Sequence, residues 1–415
     1  DRRDSGVHGM DGPIHVTFVP GPNRLNQAFL DAFAAVGGYR PCDDFSGLDP
    51  EGYGLRQGTI HRGRRDSSAS AFLTPALERP NLTLRARTAV TGVRIEAGRA
   101  MGVDTSAGSG PGWVPAAREV LLCAGAVHSP QLLMLSGIGD PDELTPQGIA
   151  VRVPRKSVGK ALLDHTSAAI VFRRQGPAPF LHHMRLDRIA WALAQDCLFG
   201  KGFASDLPCG ITAFLKTRPE ETVPDIQLLF FMGATTTAKP YLPPFTRPFE
   251  NSFSCRVMPL RPIGRGRLTL ASTDPTQPLR IHQNFFSSQE EWQVMRRGLR
   301  LVRELARQAP LKSFVAGEVS PGSARTSDEE LDAHVRATMG TVHHPIGTCR
   351  MGAASDDRAV VDGELRVIGV EGLRVVDASV MPDLIGGATN APVIMIAEKA
   401  ADMIRGRPPL PAATL

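Results

Sequence analysis

Glu119-Val120-Leu121-Leu122-Cys123-Ala124-Gly125, continuing as Ala126-Val127-His128-Ser129-Pro130-Gln131-Leu132-Leu133-Met134-Leu135-Ser136-Gly137-Ile138-Gly139, is the stretch whose reading decides the fold. Residues 119–123 are a short apolar run stopped by a glycine turn, which reads as a buried strand. Gly125 turns the chain. Ser129 offers an N-cap with Pro130 at the first helical position, and Gly137 and Gly139 end the helix. A strand, a glycine turn and a helix form the local grammar of a doubly wound α/β domain. The glycines also permit close approach of backbone, to a ligand or to a packed strand. The spacing alone leaves both open.

Working outward, residues 23–36 carry Leu25, Phe29, Phe33 and Val36 at helical spacing and stop at Gly37-Gly38. Residues 67–73 read as a short helix ended by Pro75. Residues 82–84 and 90–95 alternate as strands, 96–99 turn, and 100–105 return as a second strand. A Gly-rich loop follows at 107–112. From about 167 to 340 the pattern changes. Strands are expected at 224–232 and 268–271, and a helix over 291–308 with Val294, Leu299, Val302 and Leu305 on one face. This middle reads as a mixed sheet with helices on one side, inserted into the first domain. Near the end, residues 373–377 form a strand that stops on Asp377, and 378–387 a loop with two Gly. Residues 390–405 form a helix with Pro392 in its first turn and Gly406 closing it. The expected class is α/β, or α+β overall.

The chain has 415 residues with 42% hydrophobic and 21% charged, which excludes a disordered or fibrous protein and suits more than one domain. Seven Lys leave 40 Arg among its 47 basic residues, spread in pairs rather than in a stripe. That spread argues against nucleic acid, and the Arg bias points to a bacterial genome of GC-rich composition. Six cysteines without CxxC spacing read as reduced, mostly buried thiols, so a cytoplasmic setting is expected. No apolar run is long enough to span a membrane. Residues 1–12 are polar and read as no signal peptide.

Three constellations bear on chemistry. In the first, His343 and His344 sit between Gly340 and Gly347, with Pro345 directly after them. A His on so constrained a backbone can be aimed into a cleft for proton transfer, or can simply bond a carbonyl. A metal is not expected, because adjacent His side chains seldom converge on one ion. In the second, Asp377 ends a strand where open α/β sheets bind ligands, and the helix start at Asn390 presents free N–H groups to a phosphate or a flavin. Asn390 serves either that site or only the N-cap. The third is the opening stretch itself.

Together these residues resemble the glucose–methanol–choline flavoprotein oxidoreductases, nearest to choline-dehydrogenase-like alcohol dehydrogenases. The opening stretch, the run His344 to Gly352, and residues 373–382 with 390–396 carry the resemblance. Smaller agreements span about Gly12 to Arg405, among them Asp164-His165. The resemblance implies an FAD-binding Rossmann-like domain (75–165 and 345–406), a substrate-binding domain and cap (11–74 and 166–344) and a loose tail (407–415). It implies FAD as cofactor, His344 as catalytic base and Asn390 as its partner. Val90, Asp377, Ala378, Asn390, Ala391, Pro392 and Val393 would line the cofactor. An alcohol would be oxidised to an aldehyde, with a quinone or oxygen taking the electrons. The family's opening GxGxxG unit is not found here. The sequence is therefore expected to lack it, with a non-catalytic remnant or a flavin-dependent cyanohydrin lyase as alternatives to the dehydrogenase.

Overall fold

The structure is a computed structural model and describes residues 8–18, 23–106, 112–199, 203, 209–233 and 239–411. Most of the Gly-rich loop (107–111), the polar start (1–7) and the last tail residues (412–415) lie outside the described residues.

Along the chain run α1 (Arg24–Val36), β1 (Gly52–Leu55), β2 (Val90–Glu96), β3 (Arg99–Thr105), β4 (Trp113–Pro115), β5 (Val120–Leu122) and α2 (Gly125–Leu135). Then come β6 (Thr166–Arg174), β7 (Ile211–Leu215), β8 (Ile226–Phe231), β9 (Ser252–Pro259), α3 (Gln289–Arg307), β10 (Val315–Ser320), β11 (Leu373–Val375) and α4 (Asn390–Ile404). The chain divides into two compact units. The first holds Asp1–Leu82, Thr166–Leu260 and Gln289–Gly340, and the second Thr83–His165, Arg261–Ser288 and Thr341–Leu415. Arg261–Ser288, read from sequence as part of the substrate domain, belongs to the second unit. Its hairpin explains why: Leu162 and Gly266 exchange backbone bonds, and the Leu268 N–H donates to the Gly159 carbonyl.

In the first unit a sheet runs in the order β10-β6-β9-β8-β7-β1. The five pairings along this order are antiparallel. No helical crossover of the kind a parallel pair needs joins β7 to β8. α1 is capped by Asn23, whose Oδ1 accepts the N–H of Leu25 and Asn26 at 3.0 and 2.9 Å, and stops at Gly37 with φ of 75°. Its buried face stacks Phe29 on Phe230 and Phe33 on Tyr53, centroids 4.2 and 4.6 Å apart. Each such ring contributes roughly 2–3 kcal/mol on burial. Residues 69–73 form one π-helical turn, and Thr74–Ala76 continue as helix through Pro75 instead of ending there. A proline in a first turn forfeits no helical bond.

In the second unit β2, β3 and β4 form an antiparallel meander, turned at Ala97-Gly98 with φ of 47° and 78°. β5 pairs in parallel with β11, Leu373 opposite Val120. Residues 82–84 form no strand: Leu82 and Leu84 are 38% and 55% exposed, and alternation without a partner strand makes no sheet. α2 starts five residues earlier than the sequence suggests, at Gly125, with Ser129 and Pro130 inside it. The carbonyl that the missing Pro130 N–H would have used, that of Ala126, accepts instead from Thr348 Oγ1 at 2.6 Å. That tertiary bond offsets much of the cost of a proline within a helix.

Candidate functional site

Residues 341–351 form a strap held on two sides. Leu163 and Ile346 exchange backbone bonds at 2.9 and 3.2 Å, and the N–H groups of Cys349 and Met351 donate to the carbonyls of Ser379 and Val380, both at 2.8 Å. Fully buried Thr348 ties the strap to α2 and accepts the Gly159 N–H at 2.8 Å. Gly347 lets the strap turn: its φ is +87°, and a Cβ there would lie 2.5 Å from the Ala161 carbonyl oxygen. Gly347→Ala is therefore expected to cost on the order of 1–3 kcal/mol, read as a lower urea midpoint. An unchanged midpoint would contradict this account of the strap.

His344 sits on this strap with its backbone N–H donating to Asp164 Oδ1 at 2.9 Å. Its ring Nδ1 lies 3.0 Å from Nδ1 of His165, with the two rings edge to face. His165 is fully buried, and Asp164 is nearly so. Asp164 also accepts from the Thr341 hydroxyl. Burial raises the Asp164 pKa, while the bonds from Thr341, His344 and His165 pull it part of the way back. His343 is exposed, with φ of 65° and its N–H donating to Thr341 Oγ1 at 2.9 Å.

The raised Asp164 pKa has a consequence for stability. Protonation is favoured in the folded state, so this group's contribution is full below the ordinary carboxylate range, about pH 4, and is lost as pH rises through the folded pKa. Asp164→Asn keeps an acceptor for the His344 N–H and carries no charge. It is expected to gain on the native protein as pH rises from about 4 toward neutrality, whereas Asp164→Ala loses about 1–3 kcal/mol at low pH, a deficit that narrows by the same linkage as pH rises. Urea unfolding at several pH values reads this, and a pH-independent gap between native protein and Asp164→Asn would contradict it.

Asn390 opens α4 and is exposed, with no side-chain partner among the described residues. It is not the N-cap. Thr389 holds that place, in a helical conformation and without a side-chain bond to the first turn. The α4 start therefore keeps open N–H groups and carries no acidic residue in its first turn. Leu163, Ile346, Met381 and Leu384 form one buried cluster, against which Ala378, Val393 and Ile396 pack. The cluster thus gathers the residue two after His344, Ala378, and the second turn of α4. Ala391 is exposed and Pro392 half-buried in the same first turn.

Asp377 is 5% exposed, and its carboxylate is committed within the chain. Oδ2 accepts the Gly125 N–H at 2.9 Å and the Ser129 hydroxyl at 2.5 Å, and Oδ1 accepts the Ser379 N–H at 2.8 Å. It locks the start of α2 to the turn at Ala378–Val380. Val90 stands apart from this group. It lines a cavity of about 760 Å³ with Val103, Cys123, Ala124, His128 and Leu132. Four of the six free cysteines are buried, while Cys123 and Cys197 are exposed. No metal-binding group of His, Cys, Asp or Glu occurs among the described residues. None of their helices is long and apolar enough to cross a membrane.

Sequence reasoning singled out His344 and missed what holds it. Asp164 and Thr341 bond its strap, and His165 faces its ring. The only sequence signal for these was the adjacent pair Asp164-His165.

Comparison with known proteins gives a consistent result. Two family profiles described as GMC oxidoreductase match residues 3–167 and 262–397. The chain is 38% identical over 419 residues to the oxygen-dependent choline dehydrogenase 1 of Chromohalobacter salexigens, covering 100% of this chain and 74% of the relative. It is 39% identical over 407 residues to the mitochondrial choline dehydrogenase of Mus musculus, covering 97% of this chain and 66% of the relative. Among solved structures it is similar to a formate oxidase (TM-score 0.85, 26% identity, 96% of this chain and 73% of the other). It is also similar to pyridoxine 4-oxidase from Mesorbium loti (TM-score 0.82, 26% identity, 97% and 74%).

Proposed function

The chain belongs to the GMC oxidoreductase family, and from that premise we propose that His344 is the base and Asn390 the hydrogen-bonding partner with which it oxidises an alcohol to an aldehyde. The reaction class is FAD-dependent oxidation of a CH–OH group. The observation that carries the residue assignment is the single buried cluster against which the His344 strap, Ala378 and the second turn of α4 pack.

The residues present fit the cofactor. The α4 start offers open N–H groups without a competing capping side chain or acid, which suits an electron-rich ring edge or an anion. Asn390, Ala391, Pro392, Val393 and Ala378 would hold the ring there. Asp377 would act through the backbone that it locks, and Val90 through its place on the wall of the 760 Å³ cavity. When bound, FAD supplies the acceptor for the hydride that leaves the carbinol carbon. His344 takes the hydroxyl proton at Nε2 as that carbon–hydrogen bond breaks. Asn390 donates to the oxygen while negative charge develops on it.

Under this reading, residues 75–165 and 345–406, with 261–288 in the same compact unit, serve the cofactor, and the remainder of 11–74 and 166–344 the substrate. Choline is the first alcohol to test, because the relatives above are named for it. Oxygen and a quinone are the acceptors to compare. A cytoplasmic setting is supported by the six free thiols. The test is aldehyde formation from choline and from benzyl alcohol by the FAD-supplemented protein, with oxygen or a soluble quinone as acceptor. Product from either alcohol supports the reading, and none with any pair overturns it.

A further inference from the structure

Two neutral imidazoles that face each other through Nδ1 share one proton between those atoms, since one nitrogen must donate and the other accept. At 3.0 Å, His165 and His344 are such a pair. If His344 Nδ1 donates, its Nε2 is a bare lone pair and can take a proton. If His165 Nδ1 donates instead, His344 Nε2 carries the hydrogen and cannot act as a base.

We infer that His165 is a positioning residue: it accepts from His344 Nδ1–H and so fixes His344 in the one tautomer that leaves Nε2 free for the alcohol proton. This rests on the reading of His344 as the base. Turnover selects the same arrangement. When Nε2 takes the proton, His344 becomes an imidazolium with both nitrogens protonated. Its Nδ1–H then keeps an acceptor only if His165 Nδ1 is bare, because the opposite arrangement would set two N–H groups against each other. Both histidines are anchored at the backbone. The His165 carbonyl accepts the Val342 N–H at 3.1 Å, and the His344 N–H is held by Asp164 at 2.9 Å. Asp164 and His165 thus grip the backbone and the ring of the same histidine.

The tautomers can be read without any turnover, by long-range proton–nitrogen NMR of the full chain labelled at histidine with nitrogen-15. The expected result is His344 protonated at Nδ1 and bare at Nε2, with His165 the reverse. His344 protonated at Nε2 overturns the inference. A second arm measures turnover. His165→Leu, which removes the acceptor, is expected to lower kcat by about 100-fold with KM and flavin content little changed. His165→Asn, whose Oδ1 can take the place of Nδ1, is expected to recover most of that loss. Equal losses in the two variants would mark His165 as packing only and overturn the inference. Full turnover in His344→Gln would instead remove the proposed function while leaving the NMR result standing.

Discussion

His344→Gln lowers kcat by about 10²–10⁴-fold, the usual worth of a general base, while bound flavin and folding stay close to those of the native protein. Gln is chosen because it removes little besides the proton acceptor. The backbone bond from residue 344 to Asp164 does not depend on the side chain. The strap itself is held by Ile346, Thr348, Cys349 and Met351, none of them altered. A loss of flavin or of thermal stability in step with activity would mean that His344 holds structure. A kcat within tenfold of the native value would remove it as the base. Steady-state kinetics together with the flavin-to-protein absorbance ratio reads both.

Asp377→Ala is expected to destabilise the second unit strongly. Its carboxylate satisfies two backbone N–H groups and one hydroxyl at a position only 5% exposed. Each donor left without a partner costs about 1–3 kcal/mol, and the three are neighbours, so their costs do not simply add. A loss of several kcal/mol is a large share of the roughly 5–15 kcal/mol that holds an ordinary domain together. The start of α2 and the Ala378 turn lose their common anchor at once, so flavin affinity should fall with stability. Urea unfolding is the measurement, with flavin retention after gel filtration as the companion. A midpoint equal to the native one would contradict the structural account of Asp377.

What the sequence discloses and what it hides divide along a physical line. α1 and α4 are legible because their boundaries are local. Asn23 caps one and Gly37 stops it, while Gly406, with φ of 65°, closes the other. The β2–β3 hairpin is legible for the same reason, since two left-handed residues at its turn sit beside alternating strands. The start of α2 is not, because what makes Pro130 tolerable inside the helix is Thr348, 222 positions away. Residues 82–84 alternate like a strand, but alternation cannot say whether a partner strand exists. His344 is legible from Gly and Pro around it. His165 is not, since its contact with His344 spans 179 positions. Asn390 reads from sequence equally as a cap or as a site residue, and Thr389 occupies the cap position.

The central claim is that this chain uses His344 and the open start of α4 to strip an alcohol of a proton and a hydride. It is tested most directly by loading the purified protein with FAD, excluding oxygen, adding choline or benzyl alcohol, and following the visible absorption band of the oxidised flavin. The account predicts that the band bleaches in the native protein and does not in His344→Gln carrying the same amount of flavin. Equal bleaching in the two proteins, or none in the native protein with either alcohol, would contradict it.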